Sequence, residues 1–254
     1  MLVAERHSKI VQIVNEKKSV RVAELSRIFS VTEETIRRDL ERLEKEHKLS
    51  RSHGGAVSLT NGSDTPETPY FEREIMNVKE KKEIAEEAVK QVEEGDKIIL
   101  DASSTAWYMA KRLPDIQLTV LTNSIKVALE LSGKKQITVF STGGIMLPRS
   151  LSYVGPLAES SFDNYHVNKA FLSCKGFHFT KGLSESNEQQ ARIKKKMMDI
   201  ADSVYMMIDH TKFGVQAFTN IGKVDSVDHI LTDSNVDQET ITRLKQHNLN
   251  VIKI

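Results

Sequence analysis

Residues 32–57 read TEETIRRDLERLEKEHKLSRSHGGAV, and the first half of that run is an amphipathic helix. Thr32 is a good N-cap, because its hydroxyl can accept from a first-turn amide. Ile36, Leu40 and Leu43 follow at i, i+4 and i+7 and share one face. Thr35, Arg38 and Arg42 fall on a different face, with Glu34, Arg37 and Glu41 beside them. Beyond the helix, KLSRS and AVSL flank His53-Gly54-Gly55. A Gly-Gly pair between short alternating runs predicts a hairpin.

Working outward, Glu5 to Lys17 carries Ile10, Val11 and Val14 at helical spacing, and Val22, Leu25, Ile28 and Phe29 form a second short apolar stripe that ends at Ser30-Val31. Helix, helix, tight turn, helix, hairpin is the order of a winged helix-turn-helix. The major groove, ~12 Å wide, admits one helix whose outward side chains reach base edges. Thr32, Glu34, Thr35, Arg37, Arg38 and Arg42 are therefore candidate DNA contacts, the arginines to guanine or phosphate and the glutamate to cytosine. Arg51 and His53 on the hairpin would reach the flanking backbone or minor groove. The plainer alternative is a small interaction domain in which Arg37-Arg38 is a solvated face.

The segment from Leu59 to Tyr70, LTNGSDTPETPY, sustains neither helix nor central strand and predicts a linker. Domains are expected at 1–58 and 73–254, joined by residues 59–72. Residues 1–60 hold 12 Lys/Arg against 9 Asp/Glu, a mild asymmetry inside a chain whose net charge is +1. After the linker, FEREIMNVKEKKEIAEEAVKQVEEGD predicts one helix closed by Gly95. Short apolar strands (KIIL, LTVLT, QITVF, KAFLS, VYMMI, DHILT and a terminal NVIKI) then alternate with helices, one of them spanning about Glu188 to Asp202. That alternation predicts a mostly parallel sheet covered on both faces.

Three successive strands end in small polar residues: Asp101 to Thr105, Thr122-Asn123-Ser124, and Ser141 to Gly144. Ligands in open α/β sheets bind at the carboxyl ends of strands near a topological switch point, and hydroxyls with helix N-terminal amides suit an anion. The competing reading is that these residues merely cap helices. Neither a P-loop nor G-x-G-x-x-G occurs, which argues against a nucleoside triphosphate or dinucleotide.

Both halves resemble one known family. The run from Val22 to Val57 looks like the N-terminal winged helix of DeoR-family bacterial transcription regulators, carried by Thr35-Ile36-Arg37-Arg38-Asp39-Leu40 and by Arg51-Ser52-His53-Gly54-Gly55-Ala56. Asp101 to Thr105, Thr122-Asn123, Gly143-Gly144, Val154-Gly155-Pro156 and Asp209 to Gly214 resemble that family's effector domain, whose fold is similar to ribose-5-phosphate isomerase. The resemblance implies operator double-stranded DNA as partner and, as effector, a phosphosugar bound by Asp101, Ser103, Ser104, Thr105, Thr122, Asn123, Gly143, Gly144 and Lys212. One departure is that members often carry an acidic residue before the glycine of a stretch that here reads Phe171-Leu172-Ser173-Cys174-Lys175-Gly176. Lys175 and Gly176 are therefore candidate effector contacts with an altered preference.

The expected function is a repressor of a sugar-catabolism operon relieved by that phosphosugar. Specific affinity at cellular salt needs paired heads on half-sites, so a homo-oligomer, dimer or tetramer, is expected. The alternative is a phosphosugar isomerase with an accessory DNA-binding domain, which needs a general base; Asp101 and Glu188 are the carboxylates left for that work. No catalytic residue, metal site or cofactor other than the effector is expected. The single cysteine, Cys174, excludes a disulfide framework and reads as a buried small hydrophobe. Met197-Met198 and Met206-Met207 read as core, and Trp107 as pocket wall or core. Charges at Glu5, Arg6 and Lys9 interrupt the N-terminus, and no apolar run approaches ~20 residues, so a cytoplasmic protein without a membrane span is expected.

Overall fold

The computed structural model describes residues 3–17, 19–46, 48–52, 54–57 and 67–254, in two units, Met1–Thr65 and Pro66–Ile254. The first unit runs α1 (Val3–Lys17), β1 (Ser19–Arg21), α2 (Val22–Phe29), α3 (Glu33–Lys45), β2 (Ser50–Ser52) and β3 (Gly55–Val57). Ile10, Val14, Leu25, Ile36, Leu40 and Leu43 are buried together, so the apolar faces expected from spacing meet in one core. The turn between α2 and α3 is tight because Ser30 is left-handed (φ 52°), which lets the Ser30 and Val31 amides close back on Arg27 and Ser26. Thr32 caps α3 by accepting from the Thr35 amide at 3.3 Å.

The wing contains one strand more than the hairpin expected. β1 joins it in the order β1-β3-β2, antiparallel throughout. Gly55 is required at that junction, since a Cβ there would lie 2.3 Å from the Val20 carbonyl oxygen.

The second unit opens with α4 (Tyr70–Glu74) and α5 (Val78–Val89). This corrects two expectations. The single helix expected from Phe71 is broken at Ile75–Asn77, where Asn77 is left-handed (φ 49°), and it ends by Val89. The linker expected through residue 72 gives way earlier, because Tyr70 is helical and fully buried against this unit's core. Residues 58–66 lie outside the described residues.

There follow β4 (Lys97–Leu100), α6 (Ser104–Arg112), β5 (Leu118–Thr122), α7 (Ile125–Leu131), β6 (Ile137–Ser141), the hairpin of β7 (Ile145–Leu147) and β8 (Ser152–Val154), α8 (Pro156–Phe162) and β9 (Val167–Leu172). The chain continues through β10 (Gly176–His178), β11 (Gly182–Glu185), α9 (Glu188–Asp199), β12 (Ala201–Met207), β13 (Thr219–Gly222), β14 (His229–Thr232), α10 (Gln238–Gln246) and β15 (Asn250–Lys253). The main sheet has the order β15-β14-β12-β9-β4-β5-β6, parallel at every pair.

Alternate residues feed two cores, as a sheet covered on both faces requires. Ile98, Leu100 and Phe171 pack with α4 to α7, while Ile99, Ala170 and Leu172 pack with α8, α9 and α10. Met197, Met198, Met206, Met207 and Cys174 are all buried there, as expected. Burial pushes the Cys174 thiol up to about 12, which makes it inert.

The topology fixes where a ligand can sit. The chain moves from β4 outward to β5 and β6, then returns to the other side of β4 as β9 and continues outward to β15. The strand order therefore reverses between β4 and β9, and the loops leaving those two strands diverge to open a crevice.

Candidate DNA-reading helix and effector site

Helix α3 is the candidate reading element. It buries Ile36, Asp39, Leu40 and Leu43 and leaves Thr32, Glu34, Arg37, Arg38 and Arg42 exposed, with Thr35 half-buried beside the cap. Each arginine holds a carboxylate of the same helix: Arg37 with Glu33 at 2.8 Å, Arg38 with Glu34 at 3.3 Å, Arg42 with Glu46 at 3.2 Å. Exposed i,i+4 pairs are worth about 0.3–0.5 kcal/mol, so a phosphate or guanine edge displaces them readily. Arg51 is placed on β2 by its backbone, opposite Ala56; its side chain and the whole of His53 lie outside the described residues.

Asp39, in the midst of these arginines, turns the other way. Arg6 on α1 donates to it twice, from Nε at 2.7 Å and Nη2 at 3.1 Å, and His7 Nε2 lies at 2.8 Å. Burial alone would push the Asp39 carboxyl up, but Arg6 and His7 outweigh it and hold the group below the usual carboxylate range. Asp39 therefore locks the reading helix to α1.

At the switch point, Asp101 follows β4 and Ser173 follows β9. Both Asp101 oxygens are engaged from within: Oδ1 accepts from the Ser103 amide (3.0 Å), and Oδ2 accepts from the Ser173 amide (2.9 Å) and Lys194 Nζ (2.8 Å). It ties the loops after β4 and β9 together as an anchor, with most of its accepting capacity spent internally. Burial pulls the Lys194 ammonium down, yet Asp101 and Glu185 (3.2 Å) more than offset it and hold it charged.

The neighbouring hydroxyls are engaged too. Ser103 caps α6, Ser104 donates to the Arg73 carbonyl, Thr122 donates to the Leu100 carbonyl, and Ser124 caps α7. Thr105 is buried on the first turn of α6. The capping alternative is thus realised for Ser103 and Ser124, and what this edge offers an anion is chiefly amide groups at helix starts. Asn123 donates to the Tyr153 carbonyl, while its Oδ1 is buried without a partner among the described residues. Gly143 and Gly144 take φ of 63° and 111° after β6. They stand two strands out from the β4–β9 junction, about 10 Å away at the usual strand spacing. Gly176 opens β10 and packs on Val215.

Two lysines carry the positive charge of the crevice. Lys212 leaves β12 on a short 3-10 turn in which Asp209 accepts from the Thr211 amide and hydroxyl, and His210 is held to Asp233 through its amide (2.7 Å) and Nδ1 (3.0 Å). Phe213 bridges to Phe177, and the Gly214 amide donates to the Phe177 carbonyl at 2.8 Å. These contacts bring the Lys212 turn beside Lys175. Among the described residues, neither ammonium makes a hydrogen bond or ion pair. Burial, then the field of Lys212, pulls the Lys175 ammonium below its ordinary value.

Two further cations belong to this group that sequence reading missed. Arg73 on α4 also repels Lys175, and its Nη2 is buried without a hydrogen bond among the described residues. Lys81 on α5 is buried, donates to the Arg73 carbonyl at 2.5 Å and the Met76 carbonyl at 2.6 Å, and is pushed down to about 8 by burial and then by Lys212. Lys81 and Lys175 are thus lowered first by burial and then by neighbouring cations, with Asp209 and Glu185 in the same field. Trp107 is core, its indole donating to Glu130 at 3.0 Å with Lys111 and Lys126 over the ring.

The DeoR-like helix-turn-helix domain matches residues 6–61, and the DeoR C terminal sensor domain matches residues 76–234. The chain belongs to the DeoR family of transcriptional regulators. Its relatives include the HTH-type transcriptional regulator YulB of Bacillus subtilis, 58% identical over 100% of this chain and 98% of the other. They include also GolR of Listeria innocua, 35% identical over 97% of each chain, and the L-fucose operon activator of Haemophilus influenzae, 33% identical over 97% and 98%.

Among solved structures, the full-length sorbitol operon regulator SorC from Klebsiella pneumoniae gives a TM-score of 0.42 at 10% identity, covering 94% of this chain and 97% of the other. Ribose-5-phosphate isomerase A from Methanocaldococcus jannaschii gives 0.41 at 19% identity, covering 54% and 55%. Both are distant likenesses. In this DeoR-family regulator, no described helix is long and apolar enough to cross a membrane, and no metal-holding group of three or more His, Cys, Asp or Glu occurs among the described residues.

Proposed function

We propose that this DeoR-family protein is a cytoplasmic repressor of a sugar-catabolism operon, released from its operator by a phosphorylated sugar bound between β4 and β9. The observation that carries the reading is the pair of unpartnered ammonium groups, Lys175 and Lys212, beside an under-satisfied Arg73 at the switch point. A phosphate monoester is the natural occupant of such a cluster, with helix-start amides and Asn123 left for sugar oxygens. The relatives' names fit sugar-linked control in both senses, one an L-fucose operon activator and another a putative aga operon transcriptional repressor.

Linkage requires the sugar to bind the DNA-competent and incompetent states unequally. Tight specific binding further requires two heads on two half-sites, so a dimer or tetramer built through the larger unit is part of the proposal. The edge strand β6 offers a surface for it, with exposed Phe140 against the ring of Tyr165, the two planes tilted by 54°.

A regulator without catalysis or cofactor is favoured over an isomerase. Both Asp101 oxygens are held by internal donors, Lys194 among them, and Glu188 is exposed and paired with Arg192 at 2.8 Å.

A thermal-shift screen of phosphosugars beside their unphosphorylated parents tests the sensor. Ligand at 100 times its dissociation constant adds about 2.7 kcal/mol, so one phosphosugar should raise the melting temperature while its parent does not. Lys212→Ala should abolish that shift. Equal shifts from parent and ester, or none from any ester, would remove the phosphate from the reading. For the head, Arg38→Ala should weaken operator binding by about 1–3 kcal/mol per head in a mobility-shift titration and leave the sugar-induced shift intact. Equal loss of both would point to misfolding.

A further inference from the structure

Of the carboxylates that face the cationic crevice, Glu67 is the least well held. Glu185 is bound to Lys194, and Asp209 accepts from Thr211 and from Asn77 at 3.2 Å. Glu67 Oε1 approaches Arg73 Nη2 only to 3.9 Å, too far for a hydrogen bond, although both side chains are largely buried, at 12% and 25% exposure. Among the described residues Nη2 has no acceptor, and none donates a hydrogen bond to the Glu67 carboxylate. Burial, only partly offset by the charge of Arg73, pushes the Glu67 carboxyl up, and it lies within the field of Glu185 and Lys194.

The rest of Arg73 is fixed. Its Nε donates to the Thr68 carbonyl at 3.1 Å, and its own carbonyl accepts from Lys81 and Ser104. Glu67's backbone is pinned by Arg149, whose carbonyl accepts from the Tyr70 amide at 2.7 Å. A guanidinium held in place with unused donors, facing a weakly bound carboxylate, is built for exchange. Phosphate brings three acceptor oxygens in the bidentate geometry that Arg prefers. Glu67 also stands two residues after Thr65, where the head unit ends.

We propose that Arg73 binds the effector's anionic group and that Glu67 is the internal carboxylate this anion displaces from it. The inference rests on the sensor reading above and adds to it a ligand residue and its internal competitor. The bonds from Arg149 to the Glu67 carbonyl and from Arg73 Nε to the Thr68 carbonyl stay in place during the exchange.

Calorimetric titration of inorganic phosphate into the full chain tests this, with wild type, Glu67→Gln, Arg73→Met, the double variant and Lys212→Ala. Hydrogen bonds to charged groups set the scale, so Glu67→Gln should bind phosphate about tenfold tighter and Arg73→Met about tenfold weaker. The gain from Glu67→Gln should vanish in the Arg73→Met background, because the two side chains act as one exchange. If Arg73→Met does not fold, Arg73→Lys, which keeps the charge and loses the fork, takes its place in the cycle. A gain that persists without Arg73, or no gain at all, would overturn the exchange while leaving the sensor reading intact. Wild type binding phosphate no better than Lys212→Ala would overturn both.

Discussion

Asp39→Asn is expected to unfold the DNA-binding head and leave the larger unit's transition in place. The substitution removes the carboxylate to which Arg6 donates twice and on which His7 rests, leaving a buried guanidinium unpaired. Breaking a buried ion pair from one side costs about 3–5 kcal/mol. A domain of this size buries only about 60% of its unfolded surface and is marginal from the start, so that loss consumes most of its stability. Two-transition calorimetry should show the head's melting step lost or moved far down, with operator binding gone and effector binding kept.

The same pair sets the head's acid limit. Because the folded Asp39 carboxyl is held low, its contribution is complete above the unfolded value of ~3.9 and is lost as pH falls through the lower folded value. In the Asn variant that acid-dependent step should be missing. A head that melts normally in Asp39→Asn would remove the lock from the account.

Lys194→Met should have the larger effect on the sensor. It leaves Asp101 and Glu185 facing one another in a buried crevice without the ammonium that joins them. The cost is about 3–5 kcal/mol; at roughly 2–4 °C per kcal/mol for a unit of this size, the transition should fall by about 10 °C. The pH signature separates this from simple loss of packing. In wild type the raised Lys194 value means that its contribution is present below the ordinary lysine value of ~10.4 and lost as pH climbs through the folded one. A deficit independent of pH would mean that Lys194 merely fills space.

How much of this was legible in the sequence differs by kind of interaction. Local features were. Thr32 as cap, the Ile36-Leu40-Leu43 stripe, the Gly-Gly hairpin and the KIIL and LTVLT strands all depend on neighbours a few residues apart. Saturation was not. Asp101 looks like a ligand by residue type and place, yet three internal donors claim it, and one of them, Lys194, is 93 residues away. Asp39 likewise hides in a run of helical arginines because its partners lie 32 and 33 residues earlier.

Arg73 and Lys81 were missed for another reason. They fall in a stretch whose composition suits one continuous helix, and the left-handed turn at Asn77 separates α4, which carries Arg73, from α5, which carries Lys81. The short strands β7, β8, β10, β11 and β13 have three or four residues each, too few for an alternation to register.

The glutamate held by each arginine of α3 also bears on how this regulator searches a genome. On unrelated sequence, every phosphate an arginine grips must first dislodge a carboxylate at about 0.3–0.5 kcal/mol, which trims the drag of non-target DNA a little at each contact. Only where a base edge outbids the glutamate does the head linger. Dwell time, more than raw attraction, then separates the operator from the remainder of the chromosome, and with a net charge of only +1 the chain has little other adhesive to blur that contrast.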